Sequence, residues 1–471
     1  MSRRPRQRAS LPLLAGLLLG LVAVRHCRPP AGPPPAARTD LTLSANDRIL
    51  ILAPHPDDEV LCCGGVIQQA VQLGAPVQVV FLTYGDNNQW SFLVYRKHPV
   101  LLPKAMQRMG LVRHDEAVAA ARILGLAPDR LLFLGYPDYG TLQLWTAHWA
   151  DAAPFRSMLT HVTAVPYENA RRPGARYLGD EVLRDLTAIL REFRPTKVFV
   201  SHPADLMPDH AALYLFTRVA LWDLEQELRP SLYPYLVHFA HWPSPRGFQP
   251  ARPLEPPARL QEQAAWQRLR LTRGAVDRKR QALAAHRTQF GTSAAYLLTF
   301  ARAEELFGDF PPIALRASAS FPVILASADT EGAGAQEQLT DEEQARFVGL
   351  ESRRIAIEGD RLVMTVAYSR PLAGAVGLSI YVFGYRPDLP FSRMPKVHVR
   401  AGALAQGVWD QRRRLSDAGI TIARQPTQIT IRIPLKALGD PRRILTSART
   451  YLGDLPLDWT AWRIVELPEA R

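Results

Sequence analysis

The chain has 471 residues, of which 47% are hydrophobic and 21% charged; this excludes a disordered or low-complexity protein and leaves room for two or three packed domains. The net charge is +13, but six arginines (Arg3, Arg4, Arg6, Arg8, Arg25 and Arg28) fall in the first 28 residues with no acid among them, leaving +7 on the remainder. No basic run is interleaved with aromatics, so nucleic-acid binding finds no support. The three cysteines, Cys27, Cys62 and Cys63, match neither a zinc-finger spacing nor a disulfide framework.

An arginine-rich start precedes an apolar run, residues 11–24, of about 14 residues, the length of a signal-peptide core and short for a spanning helix. Val24-Arg25-His26-Cys27 makes a poor cleavage site, which favours an uncleaved signal anchor. The basic end would stay cytoplasmic, and the rest would be membrane-anchored and extracytoplasmic, periplasmic or at the cell surface. Cleavage and secretion is the alternative. Residues 28–40, with five prolines, read as an extended spacer, so anchor and linker together occupy residues 1–40.

From Asp47 onward, strand and helix patterns alternate. Strands are predicted near 48–53, 77–82, 130–134 and 197–201, and helices near 59–73, 113–125 and 180–193. This alternation predicts an α/β domain over 41–312, a Rossmann-like parallel sheet covered on both faces. Inserts over 87–108 and 139–177 hold Trp90, Phe92, Tyr95, Trp145, Trp149 and Tyr167, which suit either sugar stacking or core packing. Residues 259–290 read as mostly helical, with Gly274 as a break. Cys62 and Cys63 sit side by side on the first helix as small core residues.

After Phe310-Pro311-Pro312 the period shortens. Residues 353–358 and 361–368 alternate around Gly359-Asp360, a hairpin signal. Further short runs at 376–383, 396–400, 419–424, 428–433, 445–451 and 460–466 predict a β-sandwich domain over 313–471. Its Trp409, Trp459 and Trp462 suit a core or a sugar platform.

The chemistry concentrates at the end of the first strand, in Pro54-His55-Pro56-Asp57-Asp58-Glu59. Pro56 pushes His55 into an extended conformation just off the strand. Asp58 follows three residues later, where a helix begins, and can converge with His55 on one ion. Imidazole and carboxylate are zinc-compatible donors, and a catalytic zinc takes three protein ligands and keeps one position open. Asp57, pointing elsewhere, would be free to act as a general base. The bland alternative is that Asp57 or Asp58 caps the helix and Glu59 favours its dipole. A distal segment, His202-Pro203-Ala204-Asp205-Leu206-Met207-Pro208-Asp209-His210, likewise follows a strand and precedes a helix. It would bring His210 to the same sheet edge.

These two segments resemble the signature motifs of the PIG-L / LmbE-like N-deacetylases, zinc hydrolases of N-acetylglucosaminyl compounds. Lesser matches are Thr83-Tyr84-Gly85-Asp86, Arg113 with Glu116, Gly135-Tyr136-Pro137-Asp138 and Ala285-His286-Arg287-Thr288-Gln289, so the resemblance spans roughly residues 47–310. It implies zinc ligation by His55, Asp58 and His210, with Fe2+ or Co2+ as alternatives. It implies Asp57 as the base, Arg113 and Asp138 as contacts to sugar hydroxyls, and an N-acetylated amino sugar as substrate. One position departs from the family: a histidine that helps polarise the carbonyl or protonate the leaving amine is replaced by Met207, whose thioether can do neither. His202 is the nearest histidine that could substitute. Cleavage of another amide or a phosphoester, and a glycan-binding or scaffold protein with weakened catalysis, are the rival functions. The sequence says nothing about oligomeric state.

Overall fold

The computed structural model describes residues 38–87, 102–316, 322–326, 339–416, 418–453 and 455–468. The expected signal anchor, Cys27, Trp90, Phe92 and Tyr95 lie outside these residues. No helix among the described residues is long and apolar enough to cross a membrane.

The fold is mixed α/β. In chain order come β1 (Ile49–Ala53), α1 (Asp58–Leu73), β2 (Val77–Phe81), α2 (Pro103–Ile123), β3 (Leu131–Phe133), α3 (Thr141–Ala147), α4 (Gly179–Phe193), β4 (Lys197–Ser201), α5 (Pro208–Asp223) and β5 (Ser231–Tyr235). The five strands form one parallel sheet in the order β3-β2-β1-β4-β5. Every residue of β1 is buried, as expected of a strand covered on both faces. The chain moves outward from β1 through β2 to β3, then returns to place β4 on the other side of β1, with Ile51 opposite Phe199. Winding reverses between β1 and β4. The loops leaving their carboxyl ends therefore part and open a crevice there.

The predicted strands of this sheet all form. The second helix starts about ten residues earlier than its apolar pattern, because Pro103 supplies a preformed first turn. Residues 259–290 depart from the helical expectation. Their first part runs through turns into β6 (Gln267–Arg270), which pairs with Thr39–Asp40 and with a later strand. The Thr272 side chain then caps α6 (Arg273–Ala285) by accepting from the Ala275 N–H. Gly274 thus sits inside the first helical turn, and the break falls at His286, before α7 (Arg287–Leu297). The later partner of β6 is β7 (Glu304–Phe307).

Beyond this lie an antiparallel sheet and a second one that is antiparallel except where Ile313–Ala314 joins Arg463–Glu466 in parallel. One orders Val323–Ala326, Leu350–Glu358, Arg361–Tyr368, Gln428–Pro434 and Thr421–Gln425; the other centres on Val376–Tyr385, flanked by Lys396–Ala401 and Arg443–Leu452. The hairpin predicted around Gly359 forms, with that glycine at φ 61. Leu362, Met364 and Val366 of the first sheet share one core with Leu378, Ile380 and Val382 of the second. The opposite face of Val376–Tyr385 presents Tyr381, Phe383 and Tyr385 to the core of the parallel-sheet region. That strand is therefore buried on both sides. Trp145 and Trp149 meet it there: Trp145 lies 5.0 Å from Phe391 and 6.2 Å from Trp462, ring centre to ring centre. Trp145, Trp149, Tyr167 and Trp462 are core residues, whereas Trp409 and Trp459 are half-buried. Cys62 and Cys63 are free and buried in the core.

Candidate active site

Site geometry begins where β1 stops. The backbone N–H of His55 donates to Asp58 Oδ2 at 3.0 Å, which ties the turn into a closed loop. Asp57 adopts φ 136, a conformation that side-chain-bearing residues rarely take. Its N–H is fixed by Glu59 Oε2 at 2.9 Å, and its side chain makes no cap hydrogen bond to α1. The helix-cap alternative for Asp57 therefore does not hold. Asp58 also turns away from capping: its Oδ2 lies 3.3 Å from His55 Nδ1 and 3.2 Å from His210 Nε2. His210 arrives from the first turn of α5, across the crevice between β1 and β4. The rings of His55 and His210 are 5.3 Å apart, centre to centre.

These three side chains fit a cation. One donor atom from each of His55, Asp58 and His210 lies within 4.8 Å of the other two. Tetrahedral zinc with bonds of about 2.0–2.2 Å sets its ligand atoms about 3.3 Å apart, matching the two contacts made by Asp58. His210 Nε2 is buried and makes no hydrogen bond to the carboxylate beside it. A ring nitrogen and a carboxylate oxygen that converge at 3.2 Å in poor hydrogen-bond geometry suit an ion between them.

Carboxylates surround this triad. His55 Nε2 lies 3.1 Å from Asp138 Oδ1 and 3.2 Å from Asp209 Oδ2. Asp209 is itself held by the N–H groups of Tyr139 (2.6 Å) and Thr141 (3.0 Å). On the far side of His210, Asp205 Oδ2 sits 3.2 Å from Nδ1 and accepts from the N–H groups of Val237 and His238, each at 2.9 Å. Such outer carboxylates orient the imidazoles and raise their basicity. Burial alone would lower the pKa of His210, but Asp205 and Asp58 raise it to about 10. Burial pushes Asp57 up to about 7, with Arg113 opposing and Asp58 adding to the shift.

All six residues anticipated for the site lie at this sheet edge. Arg113 and Asp138 are buried and already partly engaged. The Arg113 guanidinium donates to Pro56 O (2.8 Å) and Gly85 O (3.0 Å) and lies 3.5 Å from Asp57 Oδ2. Gly85 permits this approach: a Cβ there would fall 2.1 Å from Arg113 Nη1. Asp138 Oδ2 accepts the Asn87 N–H at 2.7 Å. Arg113 Nε and Asp138 Oδ1 make no hydrogen bond. His202 does not take Met207's place. It is buried between Trp266 and Phe310 and joins none of the metal-competent groupings among the described residues.

The orienting roles of Asp205, Asp209, Thr141 and the Glu59–His286 pair, 3.2 Å apart, were not anticipated. Only the adjacency Asp209-His210 hinted at one of them. The rest depends on which loops meet in space.

The crevice at the reversal of the parallel sheet thus holds two imidazoles and a carboxylate that could hold a metal ion, beside an aspartate that caps no helix, in a mixed α/β fold. Residues 50–221 match the PIG-L family, described as GlcNAc-PI de-N-acetylase. The chain is 30% identical over 194 residues to a 1D-myo-inositol 2-acetamido-2-deoxy-alpha-D-glucopyranoside deacetylase 1 of Saccharopolyspora erythraea, covering 40% of this chain and 58% of that one. The namesake deacetylase of Mycobacterium sp. strain KMS is 30% identical over 177 residues, 37% of this chain and 50% of its own. The chain thus spans about half the length of these relatives. Among solved structures, teicoplanin deacetylase Orf2 aligns at 18% identity and TM-score 0.37, covering 55% of this chain and 97% of that one. The N,N'-diacetylchitobiose deacetylase of Pyrococcus horikoshii aligns at 20% and 0.35, covering 56% and 83%.

Proposed function

We propose that this protein is a metal-dependent hydrolase that removes N-acetyl groups from N-acetylhexosamine units of a glycan or glycoconjugate. Its catalytic part would be a Rossmann-like domain over 41–312, with an accessory β-sandwich over 313–471. The observation that carries this reading is the convergence of His55, Asp58 and His210 beside an Asp57 that caps nothing. The family description and the relatives' names, which specify deacetylation of an acetamido sugar, support it. Zinc at these three residues, or Fe2+ or Co2+, would supply Lewis-acid chemistry, polarising the acetyl carbonyl and acidifying water.

The chain's own groups then have separate tasks. Asp57 takes a proton from the attacking water and passes it to the departing amine. Glu59, by holding the Asp57 N–H, and Arg113, by holding Pro56 O, keep that carboxylate aimed into the crevice. Arg113 Nε, which makes no hydrogen bond, and Asp138, whose Oδ1 also faces His55 Nε2, would meet sugar hydroxyls. The amide C–N bond breaks, giving acetate and a free amino sugar. Residues 1–40 would anchor the protein to a membrane on its extracytoplasmic side, which fractionation of cells producing the full chain tests.

The direct trial is acetate release from N-acetylglucosamine oligomers, with metal analysis of the same sample. Full release by a His210→Ala protein would contradict the proposal. A second reading, a glycan-binding or scaffold protein with weakened catalysis, is favoured by Met207 and by the accessory β-rich region. Glycan binding without acetate release would support that reading.

A further inference from the structure

Nearly every side chain of the cluster is sealed off. His55, Asp57, Asp58, Asp138, Asp209 and His210 are all buried. Tyr139 is the exception, at 44% exposed, and it directly follows Asp138. Its backbone sits at φ 57, left-handed for a residue with a side chain. Such a conformation persists where surrounding contacts over-determine it. Here the contact is the 2.6 Å hydrogen bond from the Tyr139 N–H to Asp209 Oδ2, the oxygen that also faces His55. The far end of the side chain is fixed as well. The Tyr139 hydroxyl points to Met207 Sδ at 3.8 Å, and Met207 O accepts the His210 N–H. The tyrosine thus spans the crevice from the His55 side to the His210 side.

A hydroxyl so placed has little to bind within the protein. Thioether sulfur is a weak acceptor and offers no proton of its own. Burial of the phenol and the neighbouring Asp138 carboxylate raise its pKa, so the group keeps its proton at neutral pH. A preorganised donor at the open side of a buried polar site serves where charge develops during reaction. Of the other protic groups nearby, Thr141 Oγ1 is committed to Asp209, Arg113 lies beside Asp57, and the His238 ring is stacked on Tyr296 with its Nδ1 at the Tyr296 hydroxyl.

We propose that the Tyr139 hydroxyl is a catalytic donor, giving its hydrogen bond to the acetyl carbonyl oxygen as that oxygen gains negative charge. The inference rests on the deacetylase reading. The hydroxyl leaves Met207 Sδ and turns to the substrate oxygen; no covalent bond of the tyrosine changes. Met207 then serves as an apolar rest for the ring.

The test compares zinc-loaded wild type with Tyr139→Phe, which keeps the ring and removes the donor. Acetate release from N-acetylglucosamine oligomers should lose about 10²-fold in kcat, the usual effect of removing one such donor, with KM changed less than about threefold. A phosphonamidate analogue of N-acetylglucosamine, which mimics the charged tetrahedral state, should bind the variant more weakly by a similar factor. Glucosamine should bind both proteins alike. Zinc content and melting temperature, unchanged in the variant, exclude a folding defect. Undiminished release by Tyr139→Phe, or equal analogue affinity, overturns this inference and leaves the deacetylase reading standing. No acetate from the wild type overturns both.

Discussion

Around the carboxyl ends of β1 and β4, buried carboxylates crowd two imidazoles; in the antiparallel region, the buried Lys396 and Arg353 side chains are answered by main-chain carbonyls. At the first place, Asp58, Asp138, Asp205 and Asp209 each lie within 3.3 Å of a ring nitrogen of His55 or His210. At the second, the Lys396 ammonium donates to Phe391 O at 2.5 Å and Met394 O at 2.7 Å, over the Phe391 ring. Arg353 likewise donates to Thr446 O and Ala461 O. A buried charge closed off by the backbone serves the fold. A buried cluster still open to a group from outside the chain marks a site, because leaving it so would otherwise cost several kcal/mol.

The largest effect that separates the two regions should come from the ligands themselves. His210→Ala or Asp58→Ala is expected to remove bound zinc and at least about 10³-fold of acetate release, because three protein ligands are the minimum for a catalytic zinc. Metal analysis and an acetate assay check this. Next in size, Asp209→Asn or Asp205→Asn should weaken metal affinity or activity by about 10–100-fold, the usual effect of an outer partner, with little change in melting temperature. The antiparallel region should respond in the opposite sense. Lys396→Met orphans two buried carbonyls and should lower stability by about 1–3 kcal/mol in a denaturant titration, while bound zinc stays the same.

A pH-dependent effect unites the regions. His202 in one and His398 in the other are buried, and burial pushes each pKa down to about 3. In the unfolded chain each takes up a proton near 6.5, whereas in the fold each stays neutral. Their contribution is therefore intact above pH 6.5 and is lost as pH falls from 6.5 toward 3. The slope should reach about 1.4 kcal/mol per pH unit for each histidine. His398→Gln should remove its share of that slope and leave the share of His202. An unchanged slope would show that His398 is not neutral in the fold.

The parallel sheet and the grouping of His55, Asp58 and His210 were legible because both live in local patterns. β1 is an unbroken apolar run and β4 has the apolar centre Val198-Phe199-Val200, and each is followed within ten residues by a histidine of the cluster. What escaped depends on distant pairings. β5 carries Pro234, which spoils a strand signal, yet the strand lies at the sheet edge, where a missing N–H is tolerated. β6 looked helical because its strand character comes from Thr39–Asp40 and β7, both remote in sequence. Arg113 and Asp138 were picked out by motif, but not the extent to which they also bind loops. That follows from Gly85 and Asn87 closing over them. Tyr139 gave no signal at all: its place depends on Asp209, which lies 70 residues away in sequence.

Zinc-edge X-ray absorption on the purified protein and its His210→Ala variant tests the central claim most directly. Two imidazole nitrogens and a carboxylate oxygen at about 2.0–2.2 Å are expected in the wild type, with one imidazole lost in whatever zinc the variant retains. A wild-type protein that retains no zinc, or a spectrum that His210→Ala leaves unchanged, would contradict it.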